Sequence, residues 1–454
     1  MASVVLRRRP VAGTKSPLTV VYRPLKQLKI DGRNARTHDA KQIAQLAASI
    51  KQFGFTNPIL VDESDVIIAG HARREAANIL GLDQVPTIKL SRLSDAQRRA
   101  LAIADNKIAL NAGWNDEILI AQLKTIIDHP AVEIDPIALG FDTVELDDLL
   151  DGGPINRPSK ISGDNPDDQC PAVGATPAIS RPGDIFRLGP HRLVCGDARD
   201  HDVYKALMGK ERARMAFLDP PYNTQICGHV SGLGKKQHRE FVMGSGEMSE
   251  SAFVDFLSTT LSLTARFCVP GAIIYVCMDW RHLNDLLAAT VASKLEQKNL
   301  VVWNKTNAGM GTFYRSKHEL IFVLKWGESS HINNFGLGAG GRYRTNVWDY
   351  PGCNTFRRGR ATELDAHPTP KPVALVADAI RDVSHRGDIV ADSFGGSGTT
   401  LIAAEKTRRR ARLIELDPLY VDVIVRRWQA FSGAEAVHEA SGKTFAQLED
   451  ERSR

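Results

Sequence analysis

The sequence is short of cysteine, and its six cysteines lie far apart along the 454-residue chain. They form no C-x-x-C pair, so we expect neither a metal site nor a disulfide framework, and a reducing, cytoplasmic environment. Apolar runs of about 18 residues are also missing, so a membrane span is not expected. The segment 1–10 is basic but lacks an apolar stretch, so a signal peptide is not expected either.

Charge of one sign is not in large excess. The chain has 58 Lys and Arg against 53 Asp and Glu, for a net charge of +5. This balance is compatible with nucleic-acid binding but does not require it, because basic residues can be concentrated locally. The hydrophobic fraction of 43% is that of a globular protein, and the length predicts two or more domains.

Apolar periodicity, turns and composition divide the chain into segments of different character. The predicted segments are a flexible N-terminus (1–16), a compact α+β domain (17–110), a helical extension (111–150), a Pro/Gly-rich linker (151–182), an α/β domain (183–432) and a polar, loosely attached tail (433–454). In the α/β domain, short apolar runs alternate with helix-like segments, which predicts a mostly parallel, doubly wound sheet. Such sheets bind ligands at the carboxyl ends of their strands.

The sharpest motif is an apolar strand that runs into Asp219-Pro220-Pro221-Tyr222. Two prolines cannot continue a paired strand, so the chain leaves the sheet there as a rigid loop. The Asp219 carboxylate and the Pro220 carbonyl can accept both hydrogens of a base amine and favour the cation that develops on its nitrogen. Tyr222 can stack on a base extruded from a duplex. The alternative is a plain strand-end turn.

A second strand ends in a glycine-rich turn that opens a helix. Its residues are Asp392, Ser393, Phe394, Gly395, Gly396, Ser397, Gly398 and Thr399. Glycines allow the backbone to approach a ligand closely, and a helix N-terminus offers free N–H groups. The turn lacks the dinucleotide spacing and the lysine of a phosphate loop, which disfavours ATP. About twenty residues later Glu415 ends the next strand, where an acid usually binds ribose hydroxyls.

Together these motifs resemble the DNA N4/N6-methyltransferase family, in the β group and of the adenine-specific type, over roughly 183–430. The resemblance implies a Rossmann-like, S-adenosylmethionine-dependent methyltransferase fold in which the catalytic motif precedes the cofactor loop. The implied catalytic residues are Asp219, Pro220, Pro221 and Tyr222. The implied cofactor-binding residues are Asp197, Asp219, His367, Lys371, Asp392, Phe394, Gly395, Gly396, Ser397, Gly398, Thr399 and Glu415. The family often has proline where this chain has Ser393, so we expect either little effect or a weakened cofactor loop.

The stretch at about 327–366 combines arginines with aromatic side chains such as Trp348 and Tyr350. This combination suits phosphate contact, base readout and stacking, so target recognition is predicted here. The predicted DNA contacts are Arg342, Arg344, Arg357, Arg358 and Arg360. A solvated basic loop is the alternative.

Residues 17–110 resemble the ParB/sulfiredoxin-like domain. A strand there is followed by a glycine turn and a basic helix start, which contain Gly70, His71, Arg73 and Arg74. The helix N-terminus and the two arginines could hold a phosphate. The corresponding segment of the partition proteins binds nucleotide, so the resemblance implies a CTP-like ligand at these four residues. A DNA-docking or purely structural role stays equally open.

The expected function is site-specific methylation of the N6 amine of adenine in DNA. The aspartate that opens the catalytic motif favours adenine, and cytosine N4 is the alternative. A ParB-like DNA-binding regulator with an inactive methyltransferase half is a competing hypothesis, and so is methylation of RNA or protein amides. DNA is the expected partner, in the cytoplasm with the nucleoid. A homodimer and a paired restriction enzyme, of host or phage origin, are further options.

Overall fold

The structure is a computed structural model that describes residues 18–127, 134, 136–141, 143–150, 166–171, 177–224, 243–306, 308, 313–335, 344–352 and 371–453. The chain forms two compact units, Met1–Gly153 and Pro154–Arg454. No helix within the described ranges is long and apolar enough to cross a membrane.

The first unit contains a four-stranded sheet in the order β1-β4-β2-β3. Its elements are β1 (Val20–Pro24), α1 (Ala40–Phe53), β2 (Ile59–Val61), β3 (Ile67–Ala69), α2 (His71–Ile79), β4 (Gln84–Lys89), α3 (Asp95–Ala109), α4 (Asp116–Ile127) and α5 (Thr143–Leu150). Local sequence sets several of these boundaries. Asp39 caps α1, Gly54 ends it with a φ of 79°, and Ser94 with Gln97 forms a capping box at α3.

Two separate groups of apolar side chains stabilise the first unit. The sheet core consists of Leu25, Leu28, Ile59, Val61, Ile67, Ala77 and Val85. A smaller cluster of Leu119, Leu123 and Leu146 joins α4 to α5. The predicted helical extension at 111–150 therefore contains two helices, α4 and α5, which share their own apolar cluster.

The second unit is built on a sheet whose described strands follow the order β11-β9-β10-β8-β7-β12-β13-β6-β5-β14. Its strands are β5 (Ile185–Leu188), β6 (His191–Cys195), β7 (Ala213–Leu218), β8 (Cys268–Met278), β9 (Glu296–Asn304), β10 (His318–Lys325), β11 (Val347–Asp349), β12 (Ile389–Asp392), β13 (Arg410–Glu415) and β14 (Val437–His438). Its helices are α6 (His201–Met208), α7 (Glu250–Arg266), α8 (Leu283–Ala292), α9 (Val373–Val383), α10 (Thr399–Lys406), α11 (Pro418–Ser432) and α12 (Phe445–Arg452).

The five central strands, β8-β7-β12-β13-β6, are parallel to one another. Strands β10, β5 and β14 run antiparallel to their neighbours, so the sheet is mixed towards its edges. Two apolar clusters cover the central strands, with Met215 and Phe217 in one and Ala216 and Leu218 in the other. Burial on both faces explains why these strands are nearly continuous apolar runs. The predicted doubly wound α/β fold is confirmed.

Described parts of the predicted linker are integrated into the second unit. Ile179 and Ser180 are buried, and the Asp422 carboxylate accepts their backbone N–H groups at 2.7 and 2.9 Å. Asp168 accepts the N–H of Val373 at the start of α9, at 2.8 Å. Buried and helix-capping contacts of this kind are not expected of a free linker.

The C-terminal segment is also more firmly attached than the sequence predicted. Strand β14 pairs with β5, and Phe445 and Leu448 of α12 are buried in the main core. Arg426 of α11 bonds Glu449 at 2.6 Å. The prediction of a loosely attached polar tail was wrong, because two apolar residues three positions apart were enough to dock a polar helix.

Candidate active site

The catalytic motif leaves the sheet at the carboxyl end of β7. Asp219 directly follows the last strand residue, and the prolines turn the chain so that Tyr222 folds back onto it. The Tyr222 hydroxyl lies 2.9 Å from Asp219 Oδ1 and 2.7 Å from Glu319 Oε1. One hydroxyl hydrogen therefore has two carboxylate acceptors, and both acids fix the position of the ring.

Two lysines complete a buried charge network around these acids. Lys371 Nζ lies 2.7 Å from Asp219 Oδ2 and 2.9 Å from Glu319 Oε1. Lys305 Nζ bonds the other carboxylate oxygen of Glu319 at 2.8 Å. We call Asp219, Tyr222, Glu319, Lys305 and Lys371 the catalytic cluster. Its two carboxylates and two ammonium groups alternate in space, so each charge lies next to a charge of opposite sign.

Burial and charge act differently on the two acids of the catalytic cluster. Burial raises the pKa of Asp219 above its usual range, with Lys371 opposing and Glu319 adding to the rise. Burial acts on Glu319 in the same direction, but Lys371 and Lys305 outweigh it and lower its pKa to about 2. Glu319 is therefore ionised at neutral pH, and Asp219 is the acid of the cluster that accepts a proton more readily.

The residue after the motif, Asn223, connects the catalytic loop to a neighbouring segment. It has a φ of 51°, a left-handed conformation that asparagine tolerates. Its side-chain nitrogen donates to the Met248 carbonyl at 2.9 Å, and its oxygen accepts the N–H groups of Gly246 and Met248. These hydrogen bonds fix the end of the catalytic loop against residues 246–248.

The glycine-rich turn lies at the carboxyl end of β12 and leads into α10; we call residues 392–399 the cofactor turn. Gly398 caps α10 with a φ of 82°, which favours glycine. A Cβ at Gly395 would lie 3.0 Å from Ile424 Cδ1 and 3.3 Å from the Ile414 carbonyl. The turn is therefore pressed against α11 and β13, and its other side faces the pocket.

Two acids, Glu415 beside the cofactor turn and Asp392 at its start, accept hydrogen bonds from backbone N–H groups. Glu415 accepts the N–H of Gly396 at 2.7 Å and that of Asp417 at 2.8 Å. Asp392 accepts the N–H of Phe394 at 2.9 Å. Burial outweighs these hydrogen bonds and raises the pKa of Glu415 to about 7 and that of Asp392 to about 8. Both acids are thus close to a protonation change at neutral pH.

Ser393, where the family pattern often has proline, is part of a buried hydroxyl cluster. Its Oγ lies 2.9 Å from the Tyr204 hydroxyl of α6 and 2.9 Å from Thr264 Oγ1 of α7. The Tyr204 and Thr264 oxygens are 3.1 Å apart. The three hydroxyls connect the cofactor turn to two helices, so the loss of proline is offset by hydrogen bonds rather than leaving the turn unsupported.

One pocket joins the catalytic cluster to the cofactor turn. Its walls include Gly196, Asp197, Phe217, Asp219, Pro220, Pro221, Tyr222, Phe256, Glu319, Lys371, Asp392, Phe394, Gly395, Gly396, Ser397, Thr399, Glu415 and Tyr420. Asp197 follows β6, and Arg199 contacts it with a shortest distance of 2.6 Å. Asp197 and Glu415, which are far apart in the sequence, thus meet at one sheet edge, as the parallel order requires.

The structure corrects one predicted DNA contact. The Arg344 side chain is only 10% exposed, bonds Asp382 at 2.9 Å and lies over the Trp348 ring at 4.4 Å. Burial would lower its pKa, but Asp382, Tyr350 and Asp378 raise it above the usual range. Trp348 and Tyr350 are themselves in the core. Arg344 therefore stabilises the fold, and these two aromatics are unavailable for stacking on a base.

Several predicted residues lie outside the described part of the chain. They are Arg342, Arg357, Arg358, Arg360 and His367. Lys371 lies in the pocket, but its ammonium group contacts the catalytic acid. No roles were predicted from the sequence for Glu319, Lys305 or Asn223. A signal for Glu319 existed, because it is the one acidic residue in the apolar strand β10.

In the first unit, the predicted phosphate-binding residues open α2. Gly70 caps the helix with a φ of 107°. Arg73 donates to the backbone carbonyls of Asn57 and Pro58 at 3.0 and 3.2 Å, and Arg74 pairs with Glu75 at 2.7 Å. Burial lowers the pKa of His71. Arg73 is thus used inside the fold, and nucleotide binding at this turn stays a prediction.

The sheet order, the glycine turn with its acid and the carboxylate loop together form an α/β domain with a pocket at the carboxyl ends of its parallel strands, where such folds bind ligands. The profile of the family described as DNA methylase matches residues 213–426. The profile described as ParB N-terminal domain matches residues 13–107. The chain thus consists of a DNA methylase domain preceded by a ParB N-terminal domain.

Individual proteins resemble the two units separately. The ParB-like nuclease domain-containing protein YnaK of Escherichia coli (strain K12) is 56% identical over 82 residues, which cover 18% of this chain and 94% of that protein. The type II methyltransferase M.HpaI of Haemophilus parainfluenzae is 24% identical over 285 residues, which cover 57% of this chain and 81% of that protein. The structure of the cytosine-N4-specific PvuII DNA methyltransferase is 16% identical, with a TM-score of 0.40, covering 57% of this chain and 89% of that one.

Proposed function

We propose that this chain transfers a methyl group from S-adenosylmethionine to the N6 amine of adenine in DNA. The observation that carries the proposal is the position of Asp219. Its carboxylate lies at the end of β7, is oriented by Lys371 and Tyr222, and shares one pocket with the cofactor turn. The carboxylate of the catalytic motif and a nucleoside-binding turn are thus adjacent, as transfer between a cofactor and a base requires.

The cofactor turn fits the proposed cofactor. Gly395 and Gly396 bring the backbone onto the pocket wall, and Glu415 presents a carboxylate suited to ribose hydroxyls. Asp392 adds a second acid beside a ligand that carries an ammonium group and a sulfonium. Bound there, S-adenosylmethionine supplies an electrophilic methyl group whose sulfur leaves without needing an acid.

The catalytic cluster prepares the amine. Each oxygen of Asp219 already accepts one hydrogen bond, which leaves lone pairs that can accept an N6 hydrogen. The Pro220 carbonyl accepts the other hydrogen and favours positive charge on the nitrogen. After transfer, the extra proton passes to Asp219 or to solvent. Tyr222, fixed by its hydroxyl, offers its ring to the extruded base.

The preference for adenine rests on the aspartate that opens the motif. Cytosine N4 is the second candidate, because it is also an exocyclic amine and the same acceptors serve it. Nucleotide binding by the first unit, a homodimer, and a paired restriction enzyme stay predictions.

The deciding experiment measures transfer of a labelled methyl group from S-adenosylmethionine to unmethylated bacterial DNA and identifies the product nucleoside. Wild type should form N6-methyladenine, and Asp219→Ala should lose transfer by about 1,000-fold while still binding the cofactor. Asp202→Ala, at a carboxylate that is 87% exposed on α6, is the matched control and should remain active.

Formation of N4-methylcytosine would keep the mechanism and overturn the base assignment. Cofactor binding without transfer to any DNA would favour the DNA-binding regulator. Transfer to RNA or protein in preference to DNA would overturn the substrate class.

A further inference from the structure

Two neighbouring aromatic side chains, Phe313 and Tyr314, stand out on the surface. They are 86% and 83% exposed, more than any other large hydrophobic side chain among the described residues. Their ring centroids are 4.6 Å apart at an interplanar angle of 77°. Adjacent apolar rings held in edge-to-face contact in solvent mark a surface that gains free energy when a partner covers it.

The register of the sheet places this pair at the edge that carries the active site. Leu320 of β10 pairs with Met278, the last residue of β8, and His318 pairs with Asn304 at the end of β9. The start of β10 therefore lies at the carboxyl ends of the parallel strands. Phe313 and Tyr314 lie a few residues before β10, and Glu319 of the catalytic cluster is the second residue of that strand.

The surroundings of the pair are basic. Arg315 and Lys317 are exposed, and the backbone N–H of Lys305 donates to the Lys317 carbonyl at 2.8 Å. The sequence from 305 to 318 contains no aspartate or glutamate. Cations beside exposed rings favour a polyanion whose bases can stack, which is the chemistry of a nucleic acid.

We propose that Phe313 and Tyr314 form a wedge that enters the DNA beside the target base and occupies the space left when that base is extruded. The inference rests on the proposed function and deepens it. Extrusion costs a few kcal/mol of lost stacking and pairing. Stacking on an aromatic side chain returns about 1–3 kcal/mol per base, and the basic residues hold the adjacent phosphates.

The test uses the full chain with the double substitution Phe313→Ala and Tyr314→Ala. Two duplexes of one target sequence are compared, one fully paired and one with an abasic site opposite the target adenine. The second target is already unpaired, so a wedge contributes less to its extrusion. Transfer to the paired duplex should fall at least about tenfold, which corresponds to 1.4 kcal/mol, and transfer to the abasic duplex by less than about threefold.

A matched control is Phe431→Ala at the end of α11, where the ring is 39% exposed. Helix α11 starts beside the pocket after β13 and runs for 15 residues, so its end lies about 22 Å away along the helix axis. This variant should methylate both duplexes like wild type. Phe313→Tyr with Tyr314→Phe keeps two rings and should retain most activity on the paired duplex.

Equal losses on both duplexes, or no loss on the paired one, would overturn the wedge. Failure of the proposed function gives a different result, since wild type would then methylate neither duplex. In that case the fluorescence of 2-aminopurine at the target position decides. Wild type should brighten it on binding and the double variant should not, and equal brightening by both would again overturn the proposal.

Discussion

The catalytic cluster and the cofactor turn hold their acids in opposite ways, although they line one pocket. Asp219 and Glu319 are compensated by lysine side chains, whereas Glu415 and Asp392 accept backbone N–H groups. The lysines lower the pKa of Glu319 to about 2, whereas the backbone hydrogen bonds to Glu415 do not offset burial, and its pKa is about 7. Glu319 therefore keeps its charge at neutral pH, whereas Glu415 can change its charge when a cationic ligand binds.

The largest effect should follow from removing a cation of the catalytic cluster. In Lys371→Met, Asp219 and Glu319 lose their shared partner, and repulsion between two buried acids disturbs the reacting carboxylate. We expect kcat to fall by about 100-fold to 1,000-fold and unfolding free energy to fall by about 3–5 kcal/mol. Steady-state kinetics and denaturant unfolding measure the two quantities.

A surface lysine is the matched control. Lys406 pairs with Asp167 and is 41% exposed. Because exposed pairs contribute about 0–1 kcal/mol, Lys406→Met should leave both quantities nearly unchanged. If Lys371→Met behaves like the control, the catalytic cluster does not orient Asp219.

The next largest effect should follow from changing Glu415, the acid beside the cofactor turn. Glu415→Gln keeps the shape of the side chain but replaces the charged acceptor offered to ribose. We expect affinity for S-adenosylmethionine to fall by about 10-fold to 100-fold, since hydrogen bonds to charged groups contribute about 1.5–3 kcal/mol. The kcat at saturating cofactor should change little. Titration calorimetry gives the affinity, and an affinity equal to that of wild type would remove Glu415 from the cofactor site.

The raised pKa values of Glu415 and Asp392 should also make cofactor binding depend on pH. Below a pH of about 7, Glu415 is protonated and accepts hydrogen bonds more weakly, so affinity should rise as the pH increases from about 6 to about 8, with release of protons. The effect of pH on stability has the opposite sign. Between the ordinary pKa of a glutamate, 4.5, and the raised value of about 7, Glu415 binds more protons in the folded state than in the unfolded state. The free energy of unfolding therefore falls as the pH rises through this range. Glu415→Gln should flatten the binding profile, and a profile as steep as that of wild type would contradict the assignment.

The smallest effect should come from the hydroxyl cluster that supports the cofactor turn. Ser393→Ala and Tyr204→Phe each remove a buried hydrogen bond, so each should cost about 1 kcal/mol of unfolding free energy. The double variant should cost less than the sum, since both lose the same contact. Melting temperatures and the KM for the cofactor record this. Strict additivity would show that the two hydroxyls act independently.

The parts that the sequence predicted are those governed by local rules. The Asp-Pro-Pro-Tyr loop and the glycine turn indicate strand ends, because proline and glycine restrict or release the backbone wherever they occur. The contacts of Glu319 with Lys371 could not be predicted in this way. They depend on β10 lying beside β8, a long-range pairing that periodicity does not encode.

Arg344 was predicted to contact DNA because it lies among arginines and aromatic residues in the sequence. Its partner is instead the buried Asp382 of α9, and this long-range contact could not be predicted from the local sequence either. Likewise, Phe445 and Leu448 are two apolar residues in a polar stretch. Their burial in the main core depends on long-range packing, which the local sequence does not encode.

The position of β12 has a consequence for how the protein is made. In the sheet β12 lies between β7 and β13, but β12 begins at residue 389 and β7 ends at residue 218. A nascent chain that ends before residue 389 holds β6 and β7 without the two strands that separate them. The middle of the sheet can therefore form only after β12 and β13 have been synthesised, and pairings of such long range fold slowly. In ribosome-bound chains, the second unit should acquire resistance to proteases only once α11, which ends at residue 432, has emerged.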